Sequence, residues 1–285
     1  MNKTEIPWAD YSWNPLFGCS RASEGCDHCY AHTWAGRFRS GNFAPIYNVE
    51  ELVYGMITLL HRPRGRVFLG SMTDLFHPAH HPRFVEAVIG AALLFPQTTF
   101  IILTKRAPEA GLFFNSRYPL ACVNSLRFWG TVYAPIADVL ERIKAERGDF
   151  FNADIPFLRH NAWPAPNIWL GVSCETQMHA NIRIPWLLRI PAAVRVVSLE
   201  PLLGPISLES PLHDIHYLGG TPRLDWVIAG PETGAGARPA QPGWFDDLSQ
   251  QCAAAAVPFF DKNEPGPDNF GRAFPELKNG STGEA

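Results

Sequence analysis

Three cysteines lie close together in the pattern Cys19-(x6)-Cys26-(x2)-Cys29, and Tyr30 follows the last of them. The other cysteines, Cys122, Cys174 and Cys252, are scattered along the chain. Thiolates are soft metal ligands and strong nucleophiles. Grouped thiols in a reducing compartment therefore read as metal ligands or as a redox site. The Cys26-(x2)-Cys29 bite serves both zinc and iron–sulfur centres. A fourth ligand from His32 or His28 would close a zinc site and leave it chemically inert. Iron–sulfur is the favoured reading, because three thiolates leave one iron of a 4Fe–4S cluster without a protein ligand. An iron of that kind can accept a small molecule.

Further candidates stand where short apolar runs stop. Val67–Gly70 runs into Ser71-Met72-Thr73-Asp74, and Phe100–Leu103 into Thr104-Lys105-Arg106. Ile168–Val172 runs into Ser173-Cys174-Glu175, and Val194–Val197 into Ser198-Leu199-Glu200. Trp226–Ala229 runs into Gly230-Pro231-Glu232, and Val257–Phe260 into Asp261-Lys262. Lys105 and Arg106 have the chemistry to bind a carboxylate or phosphate, Arg106 through a bidentate fork. Alone, such a pair is more commonly a solvated strand end. Glu200 and Glu232 suit acceptors or proton carriers if desolvated. Equally, each strand-end carboxylate would be neutralised by Arg106, Arg238 or Lys262, since buried charges are normally paired. Lys105, Glu200 and Glu232 are the candidate catalytic residues. Trp8, Tyr11 and Trp13 could stack on a base, but residues of this kind more often seal the floor or rim of a barrel.

The elements that must hold these residues are strands and helices in alternation. Continuous β-branched and aromatic runs suit strands buried on both faces. Apolar positions at helical spacing mark residues 50–61, 83–95, 135–147 and 244–256. Counting a short strand before Cys19, about seven strand–helix units follow one another. The expected fold is α/β, a complete or partial (β/α) barrel whose strand ends collect at one mouth. An open doubly wound sheet would gather only a few strand ends at one crevice. Residues 1–265 read as one domain, with an edge insertion or lid near 107–167 and a flexible tail over 266–285. The chain has 285 residues, 46% hydrophobic and 18% charged, with a formal net charge of -3. That charge excludes the broad basic excess of a non-specific nucleic-acid binder, though not a local basic patch. With no apolar run of membrane-spanning length and no leader-like apolar core in residues 1–18, a cytoplasmic protein is expected.

Trp13-Asn14-Pro15, Gly18-Cys19 and Gly25-Cys26-Asp27-His28-Cys29-Tyr30-Ala31 together resemble a phage and bacterial family of unassigned function known for a three-cysteine motif. Gly70-Ser71-Met72-Thr73-Asp74-Leu75-Phe76-His77, Leu103-Thr104-Lys105-Arg106 and Trp169-Leu170-Gly171-Val172-Ser173 match in order. Ser198-Leu199-Glu200-Pro201-Leu202-Leu203-Gly204-Pro205 and Asp225-Trp226-Val227-Ile228-Ala229-Gly230 follow, so the likeness runs from about Trp8 to Lys262. Gly230-Pro231-Glu232-Thr233-Gly234 departs from the family's Gly-Gly-Glu-Ser-Gly. Phe259-Phe260-Asp261-Lys262-Asn263-Glu264 departs from its Phe-Phe-Phe-Lys-Gln-Trp, while Glu232 and Lys262 are kept.

That family in turn is similar to a divergent branch of the radical S-adenosylmethionine enzymes. Their usual spacing is Cys-(x3)-Cys-(x2)-Cys, whereas the first gap here is six residues. The resemblance implies a 4Fe–4S cluster on Cys19, Cys26 and Cys29, with S-adenosylmethionine on the open iron. Cleavage of the cofactor would yield a 5′-deoxyadenosyl radical that takes a hydrogen from substrate. It further implies that Gly70, Ser71 and Asp74 meet the methionine amino group, that Arg106 meets a carboxylate or phosphate, and that Ser173 and Glu175 meet ribose hydroxyls. A helix N-cap is the competing role for Ser71, Thr73 or Asp74, weakened by His77, Pro78, His80, His81 and Pro82, which put the start of a helix only near Arg83. Phage occurrence of the family suggests a nucleotide or nucleic-acid substrate. The competing function classes are a zinc-stabilised module that binds nucleic acid or a partner protein, and a zinc hydrolase with Glu200 or Glu232 as base.

Overall fold

The structure is a computed structural model that describes residues 1–61, 65–148, 158, 160–208, 223–263 and 275. Its centre is an eight-stranded sheet: β1 (Asn2–Lys3), β2 (Tyr11–Trp13), β5 (Arg66–Leu69), β6 (Thr99–Thr104), β7 (Ile168–Ser173), β8 (Val194–Leu199), β9 (Trp226–Ala229) and β10 (Phe259–Asp261). These strands lie in that order, and only β1 is antiparallel to its neighbour. A separate antiparallel pair, β3 (Leu16–Phe17) with β4 (Ile46–Tyr47), brackets the cysteine segment. The described helices are α1 (Tyr30–Phe38), α2 (Val49–His61), α3 (Pro82–Leu93), α4 (Ala107–Ser116), α5 (Pro119–Val132), α6 (Ala134–Arg147), α7 (Gln177–Arg189) and α8 (Pro242–Ala254). None is long and apolar enough to cross a membrane.

The strand order never reverses, which distinguishes the sheet from a doubly wound one. Right-handed crossovers between consecutive parallel strands put the connecting helices on one face. Side-chain alternation then separates two apolar layers. Phe100, Ile102, Val197, Val227 and Ala229 join the helix-side core with Leu52, Met56, Phe84, Val88 and Leu248. Ile101, Val196, Ile228 and Phe260 turn the other way, into a second cluster with Trp8, Trp169 and Trp226.

This second cluster shows that the sheet curls. In a flat sheet, five inter-strand steps would put β2 and β9 roughly 24 Å apart. Yet the ring of Trp8, just before β2, lies 6.4 Å from that of Trp226 on β9, edge to face. Trp226 also meets Trp169 at 6.0 Å and Phe260 at 6.3 Å. Trp8 and Trp13 are thus core residues, the role that sealing aromatics were expected to play. The expected alternatives were a complete or a partial barrel. Strand β10 pairs with β9 and with no other strand among the described residues, so the sheet is a curled arc whose closure is not seen among them.

Residues 107–148 of the expected edge insertion form α4, α5 and α6. Helix α5 lies so close to α3 that a Cβ on Gly90 would sit 2.3 Å from the carbonyl oxygen of Cys122. Residues 149–157 and 159 of that insertion lie outside the described residues, as does the expected tail 266–285 apart from Pro275.

Candidate functional site

Because β2 and β5–β10 are parallel, the residues that follow them collect at one mouth, and the cysteine loop lies across it. The loop leaves β3 through Gly18, which bridges to Thr73. The Gly18 N–H donates to the Met72 carbonyl at 3.1 Å, and the Thr73 hydroxyl to the Gly18 carbonyl at 2.6 Å. The Cys19 N–H donates to the Phe43 carbonyl at 3.0 Å. A short 3-10 turn, Glu24–Cys26, follows, and Cys29 is the N-cap residue of α1. The Tyr30 hydroxyl then donates to the Ser71 carbonyl and ties α1 to the turn after β5.

All three cysteines are free and half-buried. Arg106 Nη1 stands 3.5 Å from Cys19 Sγ, and Ser23 Oγ lies 3.9 Å from Cys26 Sγ. Burial pushes the Cys19 thiol up, partly offset by Arg106. Burial also acts upward on Cys26, but the Lys105 charge and backbone hydrogen bonds at Ala22 and Ser23 bring that thiol below its ordinary value. Among the described residues, no three His, Cys, Asp or Glu side chains converge to hold a metal ion. His32 is turned edge-on to Phe43, with ring centroids 5.6 Å apart. What fits a thiolate-held group is the donor set itself, three free thiols on one loop beside two cations.

Glu175 is the hub beneath that loop. Its side chain is 0% exposed. Oε1 accepts from Lys105 Nζ at 2.5 Å and from the Ser23 hydroxyl. Oε2 accepts from Arg183 Nη1 at 2.7 Å, with His179 Nδ1 at 3.4 Å. Burial raises the Glu175 carboxyl, but the Lys105 and Arg183 charges outweigh it and hold the group below its ordinary value. Gly25 makes the fit feasible: a Cβ there would lie 2.2 Å from Glu175 Cγ.

Asp74 organises the neighbouring strand ends. Its Oδ1 accepts from the Thr104 hydroxyl at 2.7 Å and the Phe76 N–H at 3.1 Å. Its Oδ2 accepts from the Lys105 N–H at 3.0 Å and Arg106 Nη1 at 3.2 Å. Four donors fill a carboxylate. Arg106 continues to the Ser20 carbonyl at 3.0 Å and hydroxyl at 3.1 Å. His77 Nδ1 accepts from the Ala79 N–H at 3.1 Å, so its proton sits on Nε2, 2.7 Å from Ser20 Oγ. Burial and Arg106 both lower the His77 pKa, which keeps the ring neutral. The Gly70 turn has φ +90°, and a Cβ there would meet Leu75 at 2.1 Å. Asn14 pins this turn, with its Oδ1 accepting from the Met72 N–H at 2.9 Å and its Nδ2 3.0 Å from Ser71 Oγ.

On the far side of the mouth Glu200 pairs with Lys262 and accepts from the Ser198 hydroxyl at 3.0 Å. Glu232 pairs with Arg238, which donates from its backbone N–H and its Nε, both at 2.8 Å, and from Nη2. Arg238 Nη2 also reaches the Glu24 carbonyl at 2.9 Å, so this pair fastens the cysteine loop. The Arg238 hydrogen bonds hold the Glu232 carboxyl down at about 2, from an ordinary 4.5. A depressed carboxyl stabilises the fold fully above its unfolded value and loses that contribution as pH falls through its folded value. Denaturant titrations at a series of pH values will therefore show wild type more stable than Glu232→Gln near neutrality. The gap will close between about pH 4.5 and about 2.

A family model described as a protein of unknown function (DUF5131) matches residues 3–272. The chain belongs to the DUF5131 family. A comparison with curated proteins finds no match. Among solved structures the chain is similar to a spore photoproduct lyase complexed with dinucleoside spore photoproduct, at 13% identity and a TM-score of 0.40. That likeness covers 97% of this chain and 64% of the lyase chain, so the chain spans less than two thirds of the lyase's length.

In this DUF5131 member the structure brings Lys105, Arg106, Asp74 and Glu175 together under Cys19 and Cys26. Gly70 and Ser71 form the adjoining turn. Ser173 pairs in register with Ser198, and its carbonyl accepts from Arg183 at 2.6 Å. Glu200 and Glu232 line the opposite side, each with its own cation. Sequence reasoning missed Asn14, Ser20, Ser23, His179 and Arg183 as parts of the site. Arg183 and His179 lie on α7, where a charged residue reads as solvent-facing; nothing local marks them as buried. Asn14 sits in the Trp13-Asn14-Pro15 block, which was a signal without an assigned role.

Proposed function

We propose that this protein is a radical S-adenosylmethionine enzyme whose centre is the cysteine loop at the mouth of the curled sheet. One observation carries the reading: three free, half-buried thiols, Cys19, Cys26 and Cys29, lie on a single loop over strand ends with basic residues beneath them. Cys19, Cys26 and Cys29 would hold a 4Fe–4S cluster. Bound there, the cluster supplies an iron free of protein thiolate for the amino and carboxylate groups of S-adenosylmethionine and one electron for its sulfonium.

The chain's own residues supply position and charge. Lys105 and Arg106 favour the ionised thiols. Asp74, Arg106 and Glu175, proposed cofactor-binding positions, have their polar atoms engaged within the protein and act by holding the loop and the strand ends. The Gly70–Ser71 turn and the Ser173 hydroxyl are the proposed direct cofactor contacts. Lys105, Glu200 and Glu232 are the proposed catalytic groups. The Glu200–Lys262 and Glu232–Arg238 pairs can exchange partners with a polar substrate, for which a nucleotide or nucleic-acid base is the proposed class. A cytoplasmic setting belongs to the same proposal.

The test is anaerobic reconstitution with iron and sulfide, then metal analysis and electron paramagnetic resonance. The expected result is about four irons per chain and a reduced-cluster signal that changes on adding S-adenosylmethionine. One zinc per chain and no cluster after reconstitution would overturn the reading in favour of a zinc-stabilised binding module.

A further inference from the structure

Helix α1 begins at the last cysteine and presents an apolar stripe to solvent. Tyr30, Trp34 and Phe38 recur every four residues, so they share one face of the helix. They are 56%, 42% and 67% exposed, while Ala31 and Ala35 supply the buried side. Rings at the foot of the helix extend the stripe. Phe17 lies 5.5 Å from Trp34 and 5.5 Å from Phe43, and Trp34 lies 5.1 Å from Phe38. Ile46, opposite Phe17 across the β3–β4 pair, lines a pocket of about 420 Å³ together with Pro45, Tyr47, Ala79, His80 and His81.

The charge on the stripe's own segment of chain has one sign. Between Asp27 and Glu50 the sequence contains no acidic residue, whereas Arg37 and Arg39 lie within or next to α1. The Arg39 guanidinium sits over the Phe17 ring at 4.7 Å, and Arg37 is exposed in the last turn. In a chain whose net charge is -3, this is a local basic patch laid over aromatic rings. Flat apolar rings interleaved with guanidinium groups match unstacked bases on a phosphate backbone. The helix carries no Leu, Ile, Val or Met to insert into an acyl layer, so its flat rings favour stacking on bases over burial in lipid.

We infer that the Tyr30–Trp34–Phe38 face of α1, with Arg37 and Arg39, is a stacking platform for single-stranded nucleic acid that leads toward the cysteine loop. As a statement of substrate class this rests on the proposed function, but the binding itself does not need the cluster. The test is fluorescence anisotropy of the full chain with a labelled twelve-nucleotide oligothymidine. Wild type is expected to bind it at least tenfold more tightly than a duplex of the same length, whose base faces are hidden. Trp34→Ala and Phe38→Ala should each weaken binding roughly tenfold with circular dichroism unchanged, as expected for one lost stack. Arg37→Gln should lower the slope of log affinity against log salt by about 0.7, one phosphate contact. Equal binding of duplex, or undiminished binding in both aromatic variants, would overturn the inference. So would a dimer in sedimentation velocity that Trp34→Ala dissociates, which would make a second copy the occupant. If reconstitution yields no cluster while the oligonucleotide still binds through Trp34 and Phe38, the radical reading falls and the platform stands.

Discussion

Cys26→Ala and Cys29→Ala will each abolish cluster assembly. After anaerobic reconstitution, iron will fall from about four per chain to a small residue, and the visible absorption of the cluster will be lost. The fold should survive, because the loop is held by backbone bonds and by Glu175 and Arg238 rather than by its sulfurs. Circular dichroism and urea midpoints within the ordinary range for surface substitutions are therefore expected. Cys252→Ala is the matched control. Burial raises that thiol to about 12, and it lies in the apolar core, so removing it should leave iron content unchanged. Full iron content in Cys26→Ala, or equal loss in Cys252→Ala, would show that the loop is not the centre.

Glu175→Ala should be the most destabilising single change at the mouth. It strands Lys105 and Arg183 in a site where the carboxylate is fully buried, and breaking such a pair by removing one partner costs about 3–5 kcal/mol. The measurement is urea unfolding at neutral pH. The same contact can be attacked from its other side. Gly25→Ala places a methyl group against Glu175 Cγ and must lift the loop without removing any charge. Its expected signature is faster reaction of Cys26 with an aromatic disulfide reagent, together with a smaller loss of stability, about 1–3 kcal/mol. Because both changes act through one contact, Gly25→Ala should cost less in the Glu175→Ala background than in wild type. Additive costs would show that the loop is not seated on Glu175.

Most of the parallel strands were readable because each carries a short apolar run that stops at a polar residue; β1, Asn2–Lys3, has no such run, and β8 holds Arg195 inside its own. Helices α2, α6 and α8 were readable because each has one apolar stripe, and α3 because its apolar residues keep helical spacing although it is buried almost all round. The others break that rule for identifiable reasons. Helix α1 exposes its rings and buries two alanines. Helix α7 buries His179 and Arg183 and contains Pro185. Helices α4 and α5 leave Leu112, Phe128 and Val132 in solvent, so their apolar faces blur. At the site, the cysteines and the strand-end acids were legible by type and position. The alternative weighed for Glu200 and Glu232, neutralisation by Lys262 and Arg238, is what the structure contains. Which cation meets which acid was not legible, because Glu175 meets Arg183 through helical geometry and Lys105 across two strands. The choice depends on register and curl, which no local spacing encodes.

The strictly consecutive strand order also sets a timetable. Each new strand adds to an edge that already exists, so the sheet can grow as the chain leaves the ribosome. The cysteine loop is made early, but its last fastening, Arg238 to the Glu24 carbonyl, joins residues 214 positions apart. At synthesis rates of about 5–20 residues per second, roughly 10–40 s pass between the two. During that interval the three thiols are on a loop that still lacks its last fastening, open to whatever delivers metal to them. The order of the strands thus keeps the site open for loading before the last strands lock it.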